Sequence, residues 1–458
     1  MVFSSLLFIF RFLPIFFIIY IISPTKYRNL VLLTGSLLFY SFGEPKYFFI
    51  MIASILVDYF VGINIEKNFK DRKKCRYLLL ISILFNMGSL FFFKYCNFFI
   101  ENINVILGLS INKLSLTLPL GISFYSFQTL SYSIDVYRGD IKAERNIIDF
   151  GAFVSSFPQL IAGPIVKYSD INKEIKSENR KINFDNIEEG IELFIIGLAK
   201  KVLLANNIGI LWTEIYSKNI NDITMQLAWL GILAFSFQIY FDFSGYSSMA
   251  IGLGRMLGFT FPRNFNFPYI SRSIREFWRR WHITLSSWLK EYIYIPLGGN
   301  RVGKFRYFFN LLILWFFTGF WHGAEYTFIL WGLYFFVLVY IESRFIKDFL
   351  SKHIVLSHIY TIFFLLIGWC IFAIDDLKTL IFYLKKMFTL SYSIEWIYYF
   401  KNYFIVLIVC IISSTPLVLR VYNKLNKSIR VVIIFLLFII SIAYLVDSTY
   451  NPFLYFRF

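Results

Sequence analysis

Long apolar runs, separated by short polar or basic stretches, occupy most of this 458-residue chain. A helix that crosses the hydrocarbon core of a membrane needs about 20 apolar residues. By that length the pattern predicts an all-α, polytopic membrane protein with roughly 11–12 transmembrane helices. The predicted spans lie near residues 5–22, 29–43, 47–65, 77–93, 117–135, 191–212, 226–245, 307–321, 326–343, 354–373, 402–419 and 431–446.

Two segments do not fit a straight crossing. Residues 147–166 contain P-Q-L-I-A-G-P, and two prolines with a glycine favour a broken, re-entrant segment, with an amphipathic surface segment as the alternative. Residues 272–304 carry too many charges to span, and their large apolar residues recur every three or four positions. That pattern predicts helices that lie at the membrane interface or dip partly into it.

Composition and charge agree with a membrane protein. The chain is 58% hydrophobic and 16% charged, whereas soluble globular chains carry about 25% charged residues. Much of its net charge of +17 lies in short loops near residues 26–28, 67–76, 344–352 and 420–430, which the span count places on one, cytoplasmic side. The charge therefore indicates orientation in a bilayer and no nucleic-acid partner. Three lysines, Lys378, Lys385 and Lys386, fall on the opposite side and do not fit this count.

Two of the four histidines, His282 and His322, each follow a tryptophan. Acyl transfer from a thioester to a hydroxyl needs a base near neutral pH, and a neutral imidazole suits that role. His322 is the candidate base, although a packed, hydrogen-bonded histidine is as common. For His282 three roles are open: it assists the donor thioester, it orients His322, or it forms a hydrogen bond with the backbone. Two histidines without a Cys or carboxylate partner fall short of a metal site, and the four cysteines show no C-x-x-C spacing, so no disulfide or zinc framework is expected.

Other polar residues extend this candidate site. Gln238 and Asp242 are four positions apart, so they share one helical face, and a carboxylate within a span needs an interior partner or water. The P-L-G-G-N-R stretch at residues 296–301 breaks its helix and is expected to expose backbone N–H groups beside Arg301 for an anionic donor such as a coenzyme A phosphate. Gly319 and Gly323 leave room near His322 for another backbone or a substrate.

Several motifs together resemble the membrane-bound O-acyltransferase (MBOAT) family, in its bacterial alginate O-acetylation branch. They are R-E-F-W-R-R-W-H-I-T-L-S-S-W-L-K-E-Y-I-Y-I-P-L-G-G-N-R, F-T-G-F-W-H-G-A, Q-I-Y-F-D-F-S-G-Y-S-S-M-A-I-G-L-G, S-F-P-Q-L-I-A-G-P-I, S-Y-S-I-D-V-Y-R-G and N-P-F-L-Y-F-R-F. The resemblance covers nearly the whole chain. It implies a single acyltransferase domain, residues 1–458, with N-terminal helices to 135, a catalytic core at 136–345 and C-terminal helices from 346.

The resemblance also implies a ring of helices around a thin central floor, with an acyl tunnel through the floor. The second histidine of the family, here His322, is then the catalytic one, and the first falls on His282. We therefore predict both as catalytic residues. The candidate residues for substrate and donor binding are Trp321, Gly323, Trp281, Arg279, Arg280, Asn300, Arg301, Gln238 and Asp242.

The leading hypothesis is an acetyltransferase in the bacterial cytoplasmic membrane. It uses a cytoplasmic thioester, acetyl-CoA, as a substrate rather than a bound cofactor, and its acceptor is an extracytoplasmic polysaccharide or partner protein. D-alanyl transfer to teichoic acids is the alternative, but that branch tends to lack the I-P-L-G-G-N-R form. A transporter with broken helices is the alternative from another class, although no internal repeat is visible between the halves.

Overall fold

The computed structural model describes residues 2–161, 163–176, 178, 180, 182–447 and 451. All regular secondary structure among these residues is helical, which confirms the predicted all-α class. The helices are α1 Phe8–Ile22, α2 Arg28–Gly43, α3 Phe48–Lys67, α4 Arg72–Leu107, α5 Ile122–Arg138, α6 Ile147–Ser155, α7 Phe157–Leu160, α8 Tyr168–Ile171, α9 Phe184–Tyr216, α10 Met225–Met256, α11 Ile274–Arg280, α12 Ile283–Leu289, α13 Lys304–His322, α14 Tyr326–Lys352, α15 Ile354–Ala373, α16 Leu377–Phe388, α17 Glu395–Ser413, α18 Leu417–Lys424 and α19 Lys427–Asp447.

Eight helices of the described chain are long and apolar enough to cross a membrane: α3, α4, α9, α10, α14, α15, α17 and α19. The other four predicted spans fall on α1, α2, α5 and α13, which are helices but are shorter or more polar. Every predicted span therefore overlaps a helix, although the span at 402–419 runs past the end of α17 at Ser413 into α18, and the chain is a multi-pass membrane protein. The ring of helices around a thin floor stays a prediction.

The 147–166 segment is broken, as expected, whereas the 272–304 segment has a break that the sequence did not predict. α6 ends at Ser155 after nine residues and α7 has four, so neither crosses a bilayer. α11 and α12 have seven residues each, separated at Trp281 and His282. The three lysines that did not fit the charge pattern lie on α16, a 12-residue helix too short to span a bilayer.

The chain forms two compact units. The first unit comprises the described residues up to Phe194 together with Tyr246–Pro262, and in it α3, α4 and α5 pack on one another around buried Asp58. The carboxylate of Asp58 accepts hydrogen bonds from the hydroxyls of Ser82 and Ser133 and from Nδ2 of Asn86. These donors compensate the cost of burying a carboxylate inside a helix bundle.

In the same unit, a polar network holds Lys176, which lies in the connection after α8. The Lys176 ammonium bonds to Glu144 at 2.7 Å and to Asp149 at 3.0 Å. Burial opposes ionisation of Glu144, but Lys176 and the Tyr168 hydroxyl outweigh it, so the pKa of this carboxyl lies below its usual value. Lys176 is therefore tied to α6 and to the residues before it by ion pairs.

The second unit comprises Ile195–Gly245 and the described residues from Arg263 onward. Helices α13 and α14 pack most closely in this unit, and Gly319 contacts Gly332 where they cross. A Cβ atom on Gly319 would collide with the carbonyl oxygen of Phe328 and lie 3.1 Å from Cα of Gly332. The room that Gly319 was expected to provide is thus used by a neighbouring backbone, as in close helix pairs that need small residues.

We expect Gly319→Ala to destabilise the protein by about 1–3 kcal/mol, because the added methyl group has no space at this crossing. Gly88→Ala in α4 is the matched control, since a Cβ there meets no atom within 4 Å, and it should be neutral or stabilising by about 0.5–1 kcal/mol. Thermal unfolding in detergent measures both. Equal unfolding midpoints for the two variants would contradict the close crossing.

Candidate functional site

Helix α11 is anchored at its N-terminus from two directions. Ser273 Oγ caps the helix by accepting from the N–H of Glu276, and the Glu276 carboxylate accepts from the N–H of Arg272, the residue before the cap. The buried carboxylate of Glu342, on α14, accepts from the N–H groups of Ile274 at 2.6 Å and Arg275 at 3.0 Å. Because a helix N-terminus carries partial positive charge, these carboxylates fix where α11 begins and which way its side chains point.

The turn between α11 and α12 is held by Asn264. His282 has φ of +42°, which is uncommon for a residue with a side chain. The backbone oxygen of Asn264 accepts from the N–H of Ile283 at 2.9 Å, and its side-chain Oδ1 lies 3.1 Å from Nδ1 of His282. The same Oδ1 accepts from the backbone N–H and the hydroxyl of Thr284. Asn264 itself is fully buried.

Both histidine rings pack near the ring of Trp321. His282 is 1% exposed, with its ring 4.7 Å from Phe243 and 6.2 Å from Trp321. His322 is 5% exposed, and its ring centroid lies 5.0 Å from Trp321 and 5.1 Å from Trp331. Phe372 closes the pocket around His322 at 5.2 Å. Both imidazoles are therefore held in an aromatic enclosure.

A cavity of about 550 Å³ contains both histidines in its wall. Its polar lining residues are Arg275, Arg279, His282, Ser286, Lys290, Tyr294, Asn300, Tyr307, Thr318 and His322. No carboxylate is among the described residues that line it. Arg279 and Lys290 are exposed whereas both histidines are buried, so the cavity leads from a basic mouth to an aromatic interior.

The cavity follows one face of α13. Tyr307, Leu311, Trp315, Thr318 and His322 all line it, and their spacing of three or four residues places them along the same side of the helix. From Tyr307 to His322 this face is about 22 Å long, at 1.5 Å per residue. The cavity is therefore long enough to hold an extended molecule that enters at the basic mouth and ends near His322.

Five of the predicted site residues line this cavity: His282, His322, Trp281, Arg279 and Asn300. Trp321 does not line the cavity, but its ring centroid is 6.2 Å from that of His282 and 5.0 Å from that of His322. The sequence reasoning missed Arg275, Trp278 and Lys290. Helical spacing could have predicted Arg275, because it precedes Arg279 by four residues and therefore lies on the same face of the helix.

The other predicted residues lie elsewhere. Arg280 pairs with Glu276 and donates to the carbonyl of Asn266, while Gly323 packs against Phe328. Arg301 is exposed and does not line the cavity. The N–H groups of Gly298 and Gly299 bond to the carbonyls of Ile295 and Tyr294, so this turn does not present them to a phosphate as expected.

Gln238 and Asp242 are also outside the cavity wall. Asp242 forms a buried ion pair with Lys201 at 2.7 Å, which supplies the interior partner predicted for it. Gln238 packs on Gly209. Of the terminal N-P-F-L-Y-F-R-F motif, only Asn451 is among the described residues, and its Oδ1 accepts from Asn206.

The burial of His282 has a measurable consequence for stability. Burial lowers the pKa of its imidazole to about 3, whereas the unfolded chain titrates near 6.5. Stability is therefore complete above pH 6.5 and falls, by up to about 1.4 kcal/mol per pH unit, as the unfolded state takes up the proton. Unfolding midpoints between pH 7.5 and 5 should fall more steeply for the unmodified protein than for His282→Gln. Parallel profiles would show that the folded ring is not kept neutral.

Comparison with known proteins places this cavity in a family. Residues 141–374, which include both histidines and the whole cavity lining, match the model of the membrane-bound O-acyltransferase family. The chain is 42% identical to the "Probable alginate O-acetylase AlgI" of Azotobacter vinelandii, over 82% of this chain and 76% of that protein. It is 37% identical to the "Peptidoglycan O-acetyltransferase" of Helicobacter pylori, over 85% and 80%.

A more distant similarity is to the "Teichoic acid D-alanyltransferase" of Bacillus subtilis, with 30% identity over 48% of this chain and 58% of that protein. The alginate and peptidoglycan relatives thus share much more of the chain than the teichoic acid relative does. These matches also set aside the transporter alternative. The chain belongs to the membrane-bound O-acyltransferase (MBOAT) family, and it is a multi-pass membrane O-acyltransferase.

Proposed function

We propose that this enzyme moves an acetyl group from acetyl-CoA on the cytoplasmic side to a polysaccharide, directly or through a partner protein, on the outer side of the bacterial cytoplasmic membrane. The observation that carries the proposal is the cavity along α13. Its cationic mouth and its buried histidines are joined by one continuous helix face of about 22 Å. Such a shape suits a long donor with an anionic head and a reactive end.

The mouth of the cavity suits the phosphates of coenzyme A. Arg275, Arg279 and Lys290 present positive charge with no lining carboxylate among the described residues to neutralise it. Arginine forks bind phosphate oxygens through paired, charge-assisted hydrogen bonds. The pantetheine arm would then lie along Leu311 and Trp315 and carry the thioester toward His322.

His322 would act as the general base. Its neutral imidazole takes the proton of the acceptor hydroxyl while the hydroxyl oxygen bonds to the thioester carbonyl carbon. The C–S bond then breaks, the thiolate leaves, and the imidazolium returns its proton to the sulfur. An ester and a free thiol result, and His322 is neutral again. The aromatic rings around it exclude water, which would otherwise hydrolyse the thioester.

The acceptor class follows from the relatives. The proteins that share four fifths of this chain are named for acetylation of alginate and of peptidoglycan, and both are carbohydrate polymers. D-alanyl transfer remains the alternative because of the teichoic acid relative. Mass spectrometry of envelope polymers from a deletion strain separates the two, since it identifies which ester is lost.

We expect His322→Ala to lower acyl transfer by at least about 10²–10⁴-fold, because the hydroxyl loses its base. Transfer is measured with radiolabelled acetyl-CoA and purified polymer, using the protein in liposomes. His353→Ala is the control, since His353 is exposed at the start of α15 and outside the cavity. Retained transfer by a folded His322→Ala variant would remove His322 from the mechanism.

We expect Arg279→Met to raise KM for acetyl-CoA by about 10- to 100-fold, because the enzyme loses one or two charge-assisted hydrogen bonds to the donor. Arg272→Met is the matched control, because Arg272 is exposed on the same segment and does not line the cavity. It should leave KM unchanged. Equal effects of the two substitutions would mean that the mouth attracts the donor only through general charge.

A further inference from the structure

We infer that Asn264 is a positioning residue that holds His282, in the wall of the donor cavity, as the Nδ1–H tautomer with its lone pair on Nε2. This inference rests on the proposed function for the identity of the donor. Its structural part, the tautomer, stands on the contacts of Asn264 alone.

The orientation of the Asn264 amide is fixed by an unambiguous donor. A backbone N–H can only donate, and the N–H of Thr284 points to Oδ1 of Asn264 at 3.3 Å. The hydroxyl of Thr284 bonds to the same atom at 2.9 Å. Exchanging the oxygen and nitrogen of the amide would place its NH₂ group against that N–H. The atom facing His282 is therefore the carbonyl oxygen, which can only accept.

The tautomer of His282 follows from this acceptor. Nδ1 of His282 lies 3.1 Å from Oδ1 of Asn264, and it must carry the hydrogen for the contact to be a hydrogen bond. A neutral imidazole has one N–H, so Nε2 then has the lone pair. The side chain of His282 lines the cavity, so the tautomer decides which protonation pattern this part of the wall has.

The backbone of Asn264 supports the same arrangement. Its carbonyl oxygen accepts from the N–H of Ile283, so one residue bonds to three consecutive positions, 282 to 284. This clamp offsets the cost of the left-handed conformation at His282. It also sets the ring direction, because the backbone and the imidazole are held by the same residue.

An acceptor nitrogen limits what His282 can do. It cannot donate from Nε2 to the oxyanion that forms on the thioester carbonyl, because that requires a proton there. Burial keeps the ring neutral, with a pKa of about 3. Toward the donor, such a ring can act only as an acceptor, for an amide N–H of the pantetheine arm, since the sulfur of the thioester carries no hydrogen. The two histidines have different tasks, and Asn264 decides which task His282 has.

The tautomer can be read directly by ¹⁵N NMR of the full-length protein labelled at its four histidines, in nanodiscs and without substrate. His282→Gln assigns the signals. We expect a protonated Nδ1 and an unprotonated Nε2 for His282. Asn264→Ala should yield a mixture or the opposite tautomer, whereas Asn264→Asp, which keeps the acceptor oxygen, should retain Nδ1–H. Asn266→Ala is the control, because Asn266 bonds to Arg280 through its backbone.

Activity supplies the second measurement. Asn264→Ala should lower kcat/KM for acetyl-CoA by at least about tenfold, with recovery in Asn264→Asp. A protonated Nε2 in the unmodified protein, or an unchanged tautomer in a folded Asn264→Ala variant, would overturn the inference. Unchanged transfer by that variant would overturn its role in the reaction. Because the tautomer is measured without donor or acceptor, failure of the proposed function leaves that result intact.

Discussion

The close approach of α13 and α14 at Gly319 and Gly332 is the constraint on which the site depends. A carbonyl oxygen occupies the place where a side chain on Gly319 would be, so the two backbones touch. This contact brings Trp331 on α14 against the ring of His322 at the end of α13. In a membrane, where burial of apolar surface between helices gives little driving force, such tight packing supplies the association energy. The position of His322 therefore depends on two glycines.

The same helix pair also determines where the cations lie. Glu342 is on α14, about 15 Å along the helix from Gly332, and its carboxylate accepts from the first N–H groups of α11. A buried carboxylate is costly unless its oxygens are paired, and here two backbone donors pair them. Arg275 and Arg279, one turn apart on α11, are thereby aimed at the cavity that ends at His322. Helix α14 thus positions both the arginines at the mouth of the cavity and His322.

The sequence predicted the helices well, and the two histidines that it singled out line one cavity, because apolar length and rare polar residues are local signals. It could not decide which arginine faces the cavity. Arg279 and Arg280 are adjacent, about 100° apart on a helix, and only the anchoring of α11 by Glu342 selects Arg279. Asp242 was correctly expected to need a partner, but Lys201 is distant in sequence. Asn264 gave no signal, since its importance comes from the left-handed turn at His282.

That turn explains why two histidines in similar W-H motifs have different surroundings. His322 ends a long helix and is enclosed by Trp321, Trp331 and Phe372. His282 instead begins a helix in a conformation that Asn264 stabilises through both backbone and side chain. The aromatic rings around His322 exclude water. The amide oxygen of Asn264 at Nδ1 of His282 determines which nitrogen of that ring carries the proton. The chemistry of each ring is thus decided by what packs against it, and the shared Trp-His pair supplies only the imidazole.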